Sequence, residues 1–342
     1  MALTYRYKTL PTGCIYCERS TNLLFCNKCK VAEFCREHKH MHLEAEQAGK
    51  CKFIGSAYGW MEHSFNLYQE FLASDATTQP MATISPQMVE FRRGIFHGAC
   101  YTLARSMRLV VTRRSIEYQA FYLDIARDSK GWWTDIVLPA MYIRLGKDSR
   151  AWGLIREWTN YYIKCRTPPH QVLYLRSLNN TTPFDDPYPL FQCHGCQLPV
   201  MATLIKIRML VDLESVDAVR EAARQRLPQE ILEMVATNIP STDIIAQEQD
   251  LSFNDHIRDV KVLQKHIMWL FRRVDSECSD FWPYIQYGYR PHIRTCKCTS
   301  GSLFPGDHCV WDSSLNRVAV RDAWLESPGA IEYLKELLDI FW

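Results

Sequence analysis

The sequence predicts a mainly α-helical protein with a small N-terminal metal-binding finger, and three observations lead to this fold class. Six of the fourteen cysteines fall between residues 14 and 51, in a segment with few large aliphatic side chains. Beyond residue 58, apolar residues recur at helical spacing in one stretch after another. No run outside the finger shows the alternation of a half-buried strand. We therefore expect a two-zinc finger at residues 1–55 and a large all-α helical-repeat or bundle domain at residues 56–342.

The overall composition is that of a globular protein. Hydrophobic residues make up 47% of the 342 residues and charged residues 23%, which excludes a disordered chain. A formal net charge of +2 makes nucleic acid a less favoured partner than protein. The N-terminus has no apolar signal-peptide core, and no apolar stretch approaches the roughly 18 residues of a membrane span. We expect a cytoplasmic or nuclear protein that has no membrane partner, in which thiols stay reduced and clustered cysteines indicate metal.

The first element is the finger, which opens with "CIYCERSTNLLFCNKCK". This stretch contains two Cys-x2-Cys pairs, the spacing with which one tight turn supplies two zinc ligands. Two pairs indicate two metal ions unless they share one, so four further ligands should follow. A segment this poor in apolar residues cannot fold by burial alone, and metal would supply the missing free energy. The candidate ligands in chain order are Cys14, Cys17, Cys26, Cys29, Cys35, His38, His40, His42 and Cys51.

Helical periodicity accounts for most of the remaining chain. A long Pro- and Asn-rich connection at residues 166–199 interrupts it, and Pro139 should bend one of the helices. The predicted helices cover residues 59–74, 88–111, 115–129, 135–146, 149–165, 200–225, 227–239, 254–286 and 327–341.

The finger resembles the MYND zinc finger. The resemblance rests on the two Cys-x2-Cys pairs, the aromatic-Cys dipeptide Phe34-Cys35, and a closing cysteine, Cys51, sixteen residues later. Fingers of that family interleave their ligands, so that the first and third pairs bind one zinc and the second and fourth bind the other. The resemblance thus implies one site with Cys14, Cys17 and Cys35, and a second with Cys26, Cys29 and Cys51.

The histidine ligands depart from the family pattern. The usual sixth ligand position holds Lys39, and the position four residues before the last cysteine holds Gln47. His38 and His42 are the nearest replacements, and His40 is an alternative to His42. The Gln and Trp that commonly follow the sixth ligand, and that help to form a groove for proline-containing peptides, are missing here.

The helical region is similar to that of fungal MYND-containing proteins with a long helical C-terminal part. The similar stretches are "LPAMYIRLGKDSRAWGLIREW" (138–158), "LIKIRMLVDLESV" (204–216) and "AWLESPGAIEYLK" (323–335). MYND-containing lysine methyltransferases are similar only in the finger, because the chain lacks their Asn-His-Ser-Cys and Gly-Glu-Glu-Leu-like segments. No phosphate-binding, dinucleotide, HExxH or GxSxG motif occurs either. No catalytic residue is therefore assigned.

A second group of potential ligands lies late in the chain. Cys193 and Cys196 occupy the long connection, and a further set follows near residue 300. If the two loops meet, these residues could build a third zinc site; otherwise they are ordinary thiols, or Cys309 is a nucleophile beside its neighbours His308 and Asp307. The possible partners in the later loop are Cys296, Cys298, His308 and Cys309.

Several polar residues admit both a functional and a structural interpretation, and the structural one is favoured for each. Asp185 and Asp186 could serve a metal or acid–base chemistry, but an Asx-type turn before proline explains them as well. Three histidines on helices and three pairs of arginines could likewise form sites, or be packed and solvated side chains. The residues concerned are His97, His256, His266, Arg92, Arg93, Arg113, Arg114, Arg272 and Arg273.

Three functions follow from these features. The favoured one is a zinc-binding adaptor for protein–protein interaction, with the finger on a helical scaffold and a protein or peptide as partner. The alternative is an enzyme whose active site lies in the helical domain, with the finger in a structural or substrate-docking role. Binding of nucleic acid through the finger and the arginine pairs is the least favoured.

Overall fold

The computed structural model describes most of the helical chain and the finger. The described residues are 10, 12–17, 19–78, 86–127, 134–166, 182–191, 197–223, 228, 230, 231, 234, 240–247, 256–278, 281–288 and 314–341.

The described residues confirm a mainly α-helical protein with a small N-terminal finger. The chain divides into two compact units, one covering Thr9–Met141 and the other built mainly from Tyr142–Trp342. The finger belongs to the first unit together with three long helices. None of the described helices combines the length and the apolar character that crossing a bilayer requires.

The first unit starts with a minimal sheet. Strands β1 (Leu24–Phe25) and β2 (Glu33–Phe34) are antiparallel and pair Leu24 with Phe34. Two short 3-10 turns follow, at Arg36–His38 and Met41–Leu43. The helices that come next are α1 (Ala45–Thr78), α2 (Pro86–Met107), α3 (Arg113–Ala126) and α4 (Thr134–Arg144), of which α4 contains both Pro139 and the boundary between the units.

Helix α1 begins earlier than the sequence indicated. Periodicity predicted a helix from residue 59, whereas the helix starts at Ala45 and runs for 34 residues. Glycines at positions 49, 55 and 59 each cost about 1 kcal/mol relative to alanine in a helix, which weakened the sequence signal. As a result Cys51, the last candidate zinc ligand, lies inside a long helix rather than in a loop.

Helix α3 starts at a cap that also contacts the finger. The side chain of Thr112 accepts a hydrogen bond from the backbone N–H of Ser115 at 3.0 Å, as N-cap residues do. Its hydroxyl also donates to the carbonyl oxygen of Val31 at 3.2 Å. Thr112 is buried, so one hydroxyl both begins a helix and connects it to the finger.

The second unit consists of helices in its described part. The predicted run 254–286 is not continuous, because one helix ends at Glu277 and the next begins at Phe281. The predicted helix at 227–239 lies largely outside the described residues. The helices are α5 (Asp148–Arg166), α6 (Tyr188–Phe191), α7 (Gln197–Ala223), α8 (Asp243–Ala246), α9 (Ile257–Glu277), α10 (Phe281–Tyr287), α11 (Ser314–Leu325) and α12 (Ala330–Phe341).

Helix α7 is the central element of the second unit. It packs along α9 and also contacts α5, α8 and α12, so most of its middle turns are buried. Its buried Arg208 forms two parallel hydrogen bonds with the carboxylate of Asp148, at 2.9 and 3.0 Å, and a third to the hydroxyl of Ser327 at 3.1 Å. Burial raises the pKa of Asp148 to about 6, against the lowering effect of Arg208.

Two local features fix the starts of helices packed on α7. The carboxylate of Asp212 accepts four hydrogen bonds, from the backbone N–H and hydroxyl groups of Ser241 and Thr242, just before α8. Gly329 precedes α12 with a φ of +71°, and a Cβ there would lie 2.9 Å from a methyl of Val211. Only glycine suits that position, because other residues avoid this conformation and the space is taken.

Candidate metal centres

The finger is a short hairpin with two cysteine turns, and one arginine supports it. Lys30, directly after the second turn, has a φ of +63°, a left-handed conformation that costs a non-glycine residue about 1 kcal/mol. The guanidinium of Arg114 donates to the carbonyl of Lys30 at 2.9 Å. It also lies over the rings of Phe25 (4.1 Å) and Tyr118 (5.3 Å). Arg114 thus fixes the strained turn against α3.

Centre 1 is the more exposed of two groups of potential ligands, and it comprises Cys14, Cys17, Cys35 and His38. The sulfur of Cys35 lies 3.3 Å from Nδ1 of His38, and the sulfur of Cys14 lies 3.5 Å from the same nitrogen. Cys17 is exposed, and its sulfur lies 3.9 Å from that of Cys35. The 3-10 turn Arg36–His38 brings His38 back to Cys35 three positions earlier.

Centre 2 is buried on all sides and comprises Cys26, Cys29, His42 and Cys51. The sulfurs of Cys26 and Cys51 are 3.3 Å apart, and Nε2 of His42 lies 3.8 Å from the sulfur of Cys29. The ring of Phe34 stacks on the imidazole of His42, with centroids 5.3 Å apart. Burial lowers the pKa of His42, which favours the neutral imidazole that a metal requires.

Both centres have the donor set and the size of a structural zinc site. In each, all four ligand atoms lie within 4.8 Å of one another. Zinc–sulfur bonds of about 2.3 Å at tetrahedral angles place two sulfurs about 3.8 Å apart. The distance of 3.9 Å between Cys17 and Cys35 matches this value, and the 3.3 Å between Cys26 and Cys51 is shorter. Three thiolates and one imidazole leave no open position, so either centre would hold zinc as a structural ion.

The protonation of the thiols also fits a bound cation at each centre. Burial alone would raise the pKa of Cys14. Hydrogen bonds from the backbone of Cys35 and Tyr16 outweigh this effect and lower the pKa to about 6. In centre 2, burial and then the neighbouring thiols Cys26 and Cys29 raise the pKa of Cys51 to about 12. The three thiols of one centre are too close together to ionise all at once without a positive charge between them, and bound zinc would supply it.

Centre 2 connects the finger to helix α1. Its ligand Cys51 is the seventh residue of α1, and Ile54, almost one turn later, is completely buried. A Cβ added to Gly55 would lie 3.3 Å from the carbonyl oxygen of Lys28, between the two cysteines of the second turn. The finger therefore packs directly against α1, and α1 cannot separate from it without breaking centre 2.

The structure groups the candidate ligands in an interleaved order. Every second pair in chain order shares a centre, so the two centres cannot form as separate consecutive loops. Of the two histidines considered for the last position, His42 joins centre 2 and His40 joins neither group. The late set, Cys193, Cys196, Cys296, Cys298, His308 and Cys309, lies outside the described residues.

The other candidates have structural contacts. The carboxylate of Asp185 accepts from the backbone N–H of Thr182, and that of Asp186 accepts from the N–H of Tyr188 at 2.8 Å, which confirms the turn interpretation. His97, His256 and His266 are buried. Arginines of all three pairs contact nearby side chains: Arg93 lies near Glu90, Arg113 near Glu117, Arg273 near Glu277, and Arg272 lies over the ring of Phe341.

Sequence reasoning missed the role of the residues that hold the finger in place. Thr112 and Arg114 contact carbonyl oxygens of Val31 and Lys30, more than eighty positions earlier. The sequence contains a signal for Thr112, because a threonine just before a helix indicates an N-cap. Nothing in the sequence indicates which distant carbonyl such a side chain reaches.

No protein-family model matches the chain, and comparisons with curated proteins and with solved structures give no significant match either. The function must therefore be argued from the two centres and from the surface around them.

Proposed function

We propose that this protein is a zinc-binding adaptor for protein–protein interaction, in which a MYND-like finger of the fungal type is joined to a helical scaffold. The observation that carries the proposal is the pair of closed Cys3His groups in the finger. Closed, four-ligand zinc sites stabilise folds, whereas catalytic zinc keeps a position open for water or substrate. The zinc would therefore support a surface rather than a reaction.

Exposed aromatic side chains on the first unit supply a surface of the required kind. Phe53 is 58% exposed and Trp60 is 45% exposed, and they lie seven residues apart on α1, which places them on one side of the helix. Phe25 of β1 is also exposed. Large aromatic residues dominate the binding energy of protein interfaces, so a protein or peptide is the proposed partner.

The test is selection from a random peptide library with the zinc-loaded full-length protein. We expect enriched peptides whose affinity falls at least about tenfold in the double variant Phe53→Ser/Trp60→Ser, because two aromatic anchors are removed. Phe121→Ser is the matched control, since Phe121 is equally exposed but lies on α3. Failure to enrich any peptide, or equal loss in the control, would contradict the adaptor proposal.

Location and chemistry follow the same reasoning. The metal ligands must remain reduced thiols, which supports the cytoplasm or the nucleus as the compartment. The alternative function, an enzyme with its site in the helical domain, loses one of its motivations because Asp185 and Asp186 act in turns. Turnover of a small molecule by the purified protein would favour that alternative.

A further inference from the structure

The second unit contains a fully buried lysine held by one segment of loop. The side chain of Lys206, on α7, has no exposed surface. Its amine contacts the carbonyl oxygens of Pro183 and of Asp185, the latter at 3.2 Å, and Nδ1 of His266 on α9 at 3.3 Å. The ring of Trp152 on α5 lies 5.5 Å away. Three separate parts of the unit thus surround one amine on α7.

The three polar contacts satisfy the amine in both of its protonation states. A charged ammonium has three N–H groups, and it can donate them to the two carbonyls and to the unprotonated Nδ1 of His266. A neutral amine has two N–H groups and one lone pair. It can donate to the same carbonyls of Pro183 and Asp185 and accept from Nδ1–H of the other imidazole tautomer. Loss of the proton therefore leaves all three polar contacts of the amine in place.

Because the amine of Lys206 is buried with no carboxylate of the described residues in contact, its neutral state is favoured. Arg208, two residues further along α7, is buried with a carboxylate at 2.9 Å, whereas no described residue forms a salt bridge with Lys206. The carboxylates of Asp185 and Asp186 accept backbone N–H groups and lie at the exposed surface instead. An ammonium removed from water with no opposite charge in contact is costly, and the amine avoids this cost by releasing its proton.

We propose that Lys206 and His266 form a proton-controlled latch, which fastens the segment Thr182–Pro187 onto α7 and α9 and releases it when the two groups become charged. The closed state holds both side chains out of water. The open state returns them to water, where each regains its ordinary affinity for protons. Opening therefore takes up protons, and acid favours the open state.

The charges that face the latch act in both directions, and burial outweighs them. The segment contributes Asp185 and Asp186, and α9 contributes Lys265 beside His266. From α5, the uncharged indole of Trp152 lies over the amine. Burial lowers the pKa of Lys206 to about 7, although the two aspartates partly oppose the shift. Burial and then the charge of Lys206 lower the pKa of His266 to about 4.

The sign of the pH effect follows from these values. Between about 7 and the unfolded value of 10.5, the closed state binds one proton fewer at Lys206 than the open state. The closed state is thus most stable at high pH and loses stability as the pH falls through this window. A second loss follows at lower pH, as His266 becomes protonated in the open state below its ordinary value of 6.5.

The experiment is amide hydrogen exchange of the full-length protein, followed by mass spectrometry of the peptide that spans Thr182–Phe191. Exchange is measured at about pH 7 and about pH 9 and corrected for the intrinsic rate. We expect the opening constant to be up to about a hundredfold higher at the lower pH, since one proton gives a tenfold change per pH unit. In Lys206→Met the dependence should vanish. In Lys206→Arg, whose charge is permanent, the segment should exchange rapidly at both pH values.

The control is Lys265→Met, which removes an exposed charge beside His266 but leaves the buried amine in place. This variant should keep the pH dependence of the unmodified protein. Equal protection of the segment at both pH values in the unmodified protein would refute the latch, whether or not the variants fold. An undiminished pH dependence in a folded Lys206→Met protein would refute the assignment to Lys206.

Discussion

The two metal centres should release zinc at very different rates. Centre 1 includes the exposed Cys17, so a chelator can reach its ion directly. Centre 2 is buried, and access to it requires Phe34 to leave His42 and Ile54 to leave the core beside Cys51. We expect release in two phases of equal amplitude, the slow one from centre 2.

The size of the difference follows from the burial of those two side chains. Fully burying a Phe or Ile contributes about 1.5–3 kcal/mol each, so exposing Phe34 and Ile54 costs about 3–6 kcal/mol. Because such values are upper estimates, we take about 3 kcal/mol. One factor of ten corresponds to about 1.4 kcal/mol, so the slow phase should be at least about a hundredfold slower.

The assay mixes the zinc-loaded protein with excess of a chelating dye and follows absorbance under native conditions. Cys17→Ser should remove the fast phase and leave one slowly released ion per chain. Cys51→Ser should remove the slow phase and, because Cys51 lies in α1, also reduce the protection of the first turns of that helix against hydrogen exchange. A single phase, or loss of the slow phase in Cys17→Ser, would show that burial does not control release.

Four further variants test the packing by urea unfolding. Arg208→Met should cost about 3–5 kcal/mol by leaving the buried Asp148 carboxylate unpaired, and the loss should shrink at lower pH, where Asp148 takes up a proton; a cost below about 1 kcal/mol would contradict this. Thr112→Ala should cost about 1–2 kcal/mol, because it removes both an N-cap and a contact with the finger; a neutral effect would mean that water replaces the hydroxyl. Gly329→Ala should destabilise the protein by more than about 1 kcal/mol, because of the left-handed backbone and the contact with Val211. Gly94→Ala, in open space on α2, should stabilise it by about 0.5–1 kcal/mol. The same sign for both variants would refute the steric argument.

Local sequence signals were sufficient for most of the long helices and for the cysteine turns, but not for α11 at Ser314–Leu325, which no predicted helix covered. Apolar periodicity found the others because most of the stability of a helix comes from one buried face. Ligand spacing found the cysteine turns because two ligands from one turn need two intervening residues. Periodicity fails at interruptions. The glycines weakened the signal for the start of α1 at Ala45. The prediction also ran through the break after Glu277, although Pro283, in the first turn of α10, marks it.

The sequence did not indicate which residues from distant parts of the chain contact one another. Lys206 and His266 are 60 positions apart, and each was one of many similar residues on helices. Their pairing depends on how α7 and α9 pack, which periodicity alone does not specify. The same holds for Arg114 and the carbonyl of Lys30, where the sequence indicates neither the left-handed turn nor the side chain that supports it.

The interleaved order of the ligands has a consequence for synthesis on the ribosome. Centre 1 has all its ligands once His38 has been made, whereas centre 2 must wait for Cys51, thirteen residues later. At about 5–20 residues per second, this delay lasts about 1–3 seconds. During that time Cys26 and Cys29 are unpaired thiols close to a site that is ready to take up zinc. The order of the ligands along the chain therefore requires the hairpin between the cysteine turns to form early. An early hairpin keeps Cys26 and Cys29 from binding the zinc of centre 1.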